Sequence, residues 1–548
     1  MKKIFLILIP LIVSVQLSTA QEKLNENKKL ASTAKIWGFL KYYHPHVGSG
    51  KFNWDDELIQ IIPKVEQATT KEELSLVYID WLNHLGKVKT IKNKKQEDTS
   101  KLFTKNFDLS WLENKQLFTP ELSEKLKFIE NNRLKKNNHY AGKNMLGTLK
   151  IKNEPEYINF DYPNENYRLL SLFKYWNIIE YFFPYKYQTD QKWDDVLVEM
   201  IPKFKNAKDT IDYHLAMLEV VTKIDDSHGY FVSKYISQHF GPKFIPVATK
   251  IINNKAIVTR FYNDSLARIN DLRIGDVITK INGENIETVL SSIYKYIPAS
   301  NIGVKNRNSQ HLLYRGKTDE IKLTIERDGS IIEKDVKRYT PQEFGKINNP
   351  TLPKWKIIDN NIGYVNMGIL NTNDVSSMMD SLMSCKSIIF DIRNYPNGTM
   401  YKISRYLNNS KKSFAKFTKP DFSYLGKYKW TGDYYCGNKN KNNYKGKIIL
   451  LVNETTQSHA EFTCMSLQTA ENVTVIGSQT SGADGNINPF EFIGGFKTNM
   501  TGLGVFYPDK RETQRIGIVP DITIHPTIEG IRQGKDEVLE KAIEFINK

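Results

Sequence analysis

Ser458 stands where an apolar run, KIILLVN from Lys447 to Asn453, gives way through Glu454-Thr455-Thr456-Gln457 to the helical stretch HAEFTCMSLQTAEN. A strand-to-helix turn offers free backbone amides and the positive end of a helix dipole, which stabilise developing negative charge and suit a nucleophile. The residues Ser458-His459-Ala460-Glu461 also match the Ser-x-x-Glu box of an ordinary helix cap, so local spacing leaves both roles open. A serine hydroxyl at its ordinary pKa is a weak nucleophile and needs a base within hydrogen-bond reach. A second suggestive turn lies upstream, where the helical segment YHLAMLEVVTKI runs into Asp225-Asp226-Ser227-His228-Gly229-Tyr230. An imidazole with a pKa of about 6.5 takes up and returns a proton near neutral pH.

These turns are carried by a long chain. Its 548 residues, 40% hydrophobic and 12% aromatic, exceed a single core and imply about three or four domains. A small binding module and a disordered or fibrous chain are excluded. The segment WGFLKYYHPHVGSGKFNWDDELIQIIPK around Trp37 recurs as WNIIEYFFPYKYQTDQKWDDVLVEMIPK around Trp176. Trp37 and Trp176, Pro45 and Pro184, Trp54 and Trp193, and Pro63 and Pro202 share one offset of 139 without a gap. Apolar positions at helical spacing, broken by proline, make this a duplicated helical unit. The first copy occupies residues 21–160, and the second, carrying the His228 turn, residues 161–240. From 241 to 340 the pattern shortens to β runs. From 350 to 548 strands alternate with helices, as in an α/β core whose sites form at the carboxyl ends of strands. The expected fold class is multidomain α+β.

The segment Leu272-Arg273-Ile274-Gly275-Asp276-Val277-Ile278, with Ile281-Asn282-Gly283, resembles a PDZ domain, which implies a groove that accepts a peptide as an added strand. Where that family carries a glycine-rich carboxylate loop, this chain reads GPKFIPVATKI. Further on, VNETTQSHAEF resembles the nucleophile segment of the C-terminal processing (tail-specific) serine peptidases. DIRNYPNG, GSQTSGADG and GIVPDI resemble three further segments of that family, in the same order. The resemblance runs from about Phe244 to the C-terminus. It implies a ClpP/crotonase-like α/β protease core, a protein or peptide substrate, and Ser458 as nucleophile.

The lysine-dependent branch of that family places its base 25 residues after the serine, and that position here is Ala483. The tricorn-like branch uses Ser-His-Glu, with a Ser-His turn ahead of its PDZ domain, where Ser227-His228 stands in this chain. The resemblance therefore implies His228 as the base. Glu512, 54 residues after Ser458 in YPDKRETQRIG, is expected as the third member, with Gln514 as the alternative. The implied oxyanion donors are the backbone N–H groups of His459 and Gly398, and the His459 side chain is expected to face solvent. The competing expectation is a peptide- or ligand-binding protein that keeps the fold without catalysis.

Composition sets the remaining expectations. Lys and Arg number 77 against 61 Asp and Glu, a formal charge of +16, but the lysines are spread along the chain and no nucleic-acid partner is expected. No ligand spacing calls for a metal, and no cofactor is expected. Cys385, Cys436 and Cys464 are too few and too scattered for a disulfide framework. Met1-Lys2-Lys3, the apolar run Ile4 to Val15 and the small residues Ser18-Thr19-Ala20 read as a signal peptide spanning residues 1–20, with export to the periplasm or beyond. No later stretch approaches the length of a transmembrane helix. The sequence sets no oligomeric state.

Overall fold

The computed structural model describes residues 24–92, 99–345 and 352–548; the expected signal peptide lies outside them. In the first helical copy α1 (Glu26–Tyr43) packs with α2 (Trp54–Gln67) and α3 (Lys71–His84). The second copy repeats the arrangement with α4 (Glu165–Phe182), α5 (Trp193–Lys205) and α6 (Thr210–Thr222). The paired tryptophans account for the repeat. Trp37 Nε1 donates to the Trp54 carbonyl at 2.9 Å while Trp54 Nε1 donates to the Trp37 carbonyl at 3.0 Å, and the rings stack 6.5 Å apart. Trp176 and Trp193 make the same exchange at 2.8 and 3.1 Å, with their rings 6.3 Å apart. Each indole buries its surface without orphaning its one donor.

The two copies cross at equivalent positions. Asn177, the counterpart of Gly38, donates to the Ala34 carbonyl at 3.0 Å, and a Cβ on Gly38 would sit 1.7 Å from its Oδ1. Both copies share one hydrophobic cluster with Phe490, Phe492, Met500 and Phe506 of the C-terminal region, so the helices are docked on the core. After α6 the chain reverses through Asp225, at φ 48°, into the His228 turn and β1 (Tyr230–Phe231).

The middle region holds β2 (Val247–Ile252), β3 (Lys255–Phe261), β4 (Val277–Ile281), α7 (Ile302–Leu313), β5 (Glu320–Arg327) and β6 (Ser330–Lys337). The strands form an antiparallel sheet in the order β6-β5-β4-β3-β2, with α7 against the edge strand β2. Asn253-Asn254 turns β2 into β3 with both residues at positive φ, a hairpin conformation asparagine tolerates.

The C-terminal core is built on β7 (Trp355–Ile358), β8 (Ile362–Asn366), β9 (Ser387–Asp391), β10 (Lys447–Val452), α8 (His459–Leu467) and β11 (Val473–Gly477). It continues with the hairpin β12 (Ile487–Phe492) and β13 (Phe496–Thr501), then β14 (Ile522–Thr523). One sheet runs β7-β8-β9-β10-β11-β14, antiparallel at β7 and parallel elsewhere. Its central strands are apolar and buried because both faces are covered. Pairing of Asp391 with Leu451 brings the carboxyl ends of β9 and β10 level, so their turns emerge side by side. Thr456 Oγ1 donates to the Ile392 carbonyl and Thr455 Oγ1 to the Arg393 carbonyl, each at 2.8 Å. Among the described residues no helix is long and apolar enough to cross a membrane.

Candidate active site

Ser458 opens α8 with φ 56° and ψ −119°. Among the described residues, positive φ outside glycine, asparagine and aspartate occurs only at Ser458, Lys510 and Arg515. Holding a serine there costs on the order of 1–3 kcal/mol, and the surroundings supply the restraint. The Ser458 N–H is shared between the Ala483 carbonyl at 3.0 Å and Glu461 Oε2 at 3.1 Å. Glu461 is buried and also accepts from Thr480 Oγ1 (2.5 Å), the Gly482 N–H (2.7 Å) and the Ala483 N–H (3.0 Å). Burial pushes its carboxyl up, against the pull of those hydrogen bonds. Gly517 of the GIVPDI segment closes over this cluster, and a Cβ there would lie 2.1 Å from Thr480 Oγ1. Glu461 thus does more than cap a helix: it ties the serine turn to the 480–483 loop.

His228 reaches the same place from the helical repeat. A cleft of about 690 Å³ has Ser458, His228, His459 and Asp484 on its wall, with Phe417, Phe462, Leu503 and Val505 forming an apolar face. The His228 turn is anchored on both sides. Ser227 N–H donates to Ser300 Oγ (2.8 Å), Ser300 N–H donates to Ser227 Oγ (2.9 Å), and Gln457 Nε2 donates to the Ser227 carbonyl (3.3 Å). Burial lowers the His228 pKa from 6.5, with the Asp226 carboxylate pulling the other way. Among the described residues no hydrogen bond joins the Ser458 hydroxyl to the His228 ring; contacts of this kind often tighten only with substrate in place.

The third member is where sequence and structure part. Glu512 does not approach His228: its carboxylate accepts from Lys105 Nζ (2.8 Å), Tyr187 OH (2.7 Å) and Gln188 Nε2 (3.0 Å). An antiparallel bridge between Phe506 and Glu512 fixes that direction. Gln514 is buried nearer the ring, with Nε2 3.4 Å from Asp226 Oδ1. Facing His228 Nδ1 instead are Thr501 Oγ1 at 2.7 Å and Asp226 Oδ1 at 3.8 Å, neither of them singled out by sequence reasoning. The one local signal was a carboxylate two residues before the histidine.

The first residue of α8, His459, does not face solvent as expected. Its ring is half-buried, 6.2 Å from the Tyr395 ring and 6.5 Å from that of Phe462, and its Nε2 is buried without a hydrogen-bond partner. Burial lowers its pKa. Gly398, at φ 71°, lies exposed on the turn after β9, which contributes Tyr395 to the cleft wall. Asn397 pins that turn by donating to the Gly368 (3.1 Å) and Leu370 (3.3 Å) carbonyls. The three cysteines are buried and free, and no group of three or more His, Cys, Asp or Glu among the described residues could hold a metal ion.

With a strained serine at the carboxyl end of a parallel sheet and a histidine across the cleft, the comparison with known proteins is specific. Residues 361–524 match peptidase family S41. The S41 segment contains β8 through β14 with Ser458, Glu461 and Thr501, whereas Asp226 and His228 lie upstream of it. A protein of Staphylococcus aureus (strain N315) named "Probable CtpA-like serine protease" is 25% identical over 322 residues, covering 56% of this chain and 58% of the relative. The match therefore spans less than two thirds of that relative's length. Among solved structures, mature CPAF, both alone and complexed with lactacystin, aligns at a TM-score of 0.55 and 14% identity over 70% of this chain and 98% of that one. At that identity the likeness is one of fold: a mixed α/β multidomain architecture.

Proposed function

We propose that this chain is a serine endopeptidase in which Ser458 attacks the scissile carbonyl and His228 serves as general base and then general acid. The observation that carries the proposal is Ser458, held at φ 56° on the wall of the cleft that also contains His228. His228 Nε2 takes the Ser458 proton as Oγ bonds to the carbonyl carbon, then delivers it to the leaving amine as the C–N bond breaks. Water, deprotonated by the same nitrogen, hydrolyses the acyl-serine and restores the hydroxyl. The oxyanion is received by the backbone N–H groups of His459 and Gly398, each donor worth about 3 kcal/mol in the barrier. Ala483 lacks the amine that the lysine-dependent branch uses, which leaves the imidazole as the acceptor.

The apolar face of Phe417, Phe462, Leu503 and Val505 takes an apolar substrate side chain beside the scissile bond. The 241–340 module is read as PDZ-like, with edge strand β2 beside α7 offering a groove for an added strand. Its Phe244 N–H is already bonded to the Tyr339 carbonyl at 2.8 Å, so peptide capture there relies on the strand edge rather than on that amide. The signal-like N-terminus supports an exported, periplasmic or extracellular enzyme acting on protein substrates. The test is proteolysis of an unfolded protein, followed by mass spectrometry: the wild-type chain yields internal cuts, and Ser458→Ala yields none. Equal fragments from both would overturn the reading.

A further inference from the structure

We infer that Asp226 and Thr501 are a positioning pair that fixes the protonation of the His228 ring, with the Thr501 hydroxyl inserted between carboxylate and imidazole. The inference rests on the reading of His228 as the base. Thr501 Oγ1 lies 3.0 Å from Asp226 Oδ1 and 2.7 Å from His228 Nδ1. A hydroxyl has one proton to give. A carboxylate only accepts, so that proton goes to Asp226, and toward the ring Thr501 Oγ1 can only accept. Nδ1 must then carry the ring's proton, and Nε2 keeps the lone pair a general base needs. The tautomer follows from donor and acceptor counting alone.

Asp226 is built to stay in this role. It is fully buried, yet it accepts from the His228 N–H (3.1 Å), the Thr501 N–H (2.7 Å) and Gln514 Nε2 (3.4 Å) besides the Thr501 hydroxyl. Donors of this number offset the cost of burying a charge. Register fixes the geometry further: β13 pairs with β1, Thr498 against Phe231 and Asn499 against Tyr230, so the strand carrying Thr501 is locked to the strand that follows His228. At 3.8 Å from Nδ1, Asp226 also supplies the charge that favours the imidazolium formed during attack. The other ionisable groups on the same cleft are Tyr395, His459 and Asp484. None of them has the Nδ1 side of the ring within hydrogen-bond reach.

The experiment uses the full chain with Thr501→Val, Thr501→Ser and Asp226→Asn, read by the rate of fluorophosphonate labelling against pH and by the ¹⁵N shifts of the His228 ring. Thr501→Val keeps the backbone N–H bond to Asp226 and loses only the hydroxyl; it is expected to slow labelling by about 100-fold, while Thr501→Ser stays within about threefold of wild type. In the wild-type chain, above the pH at which the ring charges, the ¹⁵N pattern should place the proton on Nδ1. In Asp226→Asn the amide oxygen takes the Oδ1 position, where the His228 N–H, the Thr501 hydroxyl and Gln514 Nε2 converge, so the ring proton stays on Nδ1 while the acid limb of the rate profile moves to lower pH, since the charge favouring imidazolium is gone. Wild-type rates in Thr501→Val, equal impairment by valine and serine, or a wild-type ring protonated at Nε2 would each overturn the inference. The ring shifts do not depend on catalysis, so a chain that fails to label but shows the Nδ1-protonated ring would sink the peptidase reading alone.

Discussion

Gln457 donates from Nε2 to the Ser227 carbonyl at 3.3 Å, so the residue before the nucleophile grips the residue before the base. Arg307 of α7 holds the same link from a third side, Nη2 donating to Gln457 Oε1 at 3.0 Å and Nη1 to the Glu454 carbonyl at 2.6 Å. Three regions far apart in sequence thereby set the separation of two side chains.

Gln457→Ala is expected to lower kcat by about 10-fold with the melting temperature nearly unchanged, because it loosens alignment without opening the core. Steady-state kinetics alongside thermal melts check this. A rise in KM at constant kcat would mean that Gln457 binds substrate instead.

Glu512→Gln and Glu512→Ala should leave peptide hydrolysis within about twofold of wild type. Lys105, its ionic partner, is mostly exposed, and such pairs contribute no more than about 1 kcal/mol to stability. A loss of 100-fold or more in kcat/KM would return Glu512 to the catalytic group.

The acid limb of kcat/KM should fall below pH 6.5. Burial lowers the His228 pKa by disfavouring the imidazolium, so the neutral base persists to lower pH than it would in a free histidine. A pH-rate profile measured from 4 to 9 reads this directly. A limb well above 7 would point to an amine as the base.

Asp484 gives a stability prediction with a definite sign. Its Oδ1 accepts from the Gly485 N–H at 2.7 Å, its Oδ2 is buried without a hydrogen-bond partner, and burial, followed by the neighbouring Glu461, pushes its carboxyl well above the usual range. The folded chain keeps a proton that the unfolded chain releases from pH of about 3.9, so this stabilisation is complete at lower pH and is lost as pH rises toward the folded pKa. Asp484→Asn carries no such penalty. Its melting temperature relative to wild type should climb between pH 4 and pH 8; a difference constant across that range would contradict the assignment.

Much of this is legible in the amino-acid sequence. The tryptophan and proline offsets announced the duplicated helices because each Trp is paired with the backbone of its partner inside one copy, a local constraint that a repeat preserves. KIILLVN and the turn after it gave Ser458 its setting, since a strand buried on both faces reads as an unbroken apolar run. The strain at Ser458 was not legible: Ser458-His459-Ala460-Glu461 reads as an ordinary cap, and the φ of 56° arises from the grip of Ala483 and Glu461. Glu512 had the right charge and chain spacing, but Lys105 and Tyr187, remote in sequence, claim it. Asp226 stood in plain view beside His228, while Thr501, the group that makes it relevant, lies 275 residues further along the chain and is brought in only by strand pairing.

The account is tested most directly by the second-order rate of fluorophosphonate labelling at Ser458 in wild type, Ser458→Ala and His228→Ala at pH 7.5. Wild type should label, Ser458→Ala should not, and His228→Ala should react at least about 1,000-fold more slowly than wild type. A His228→Ala chain that labels at the wild-type rate would show that some other group takes the serine proton.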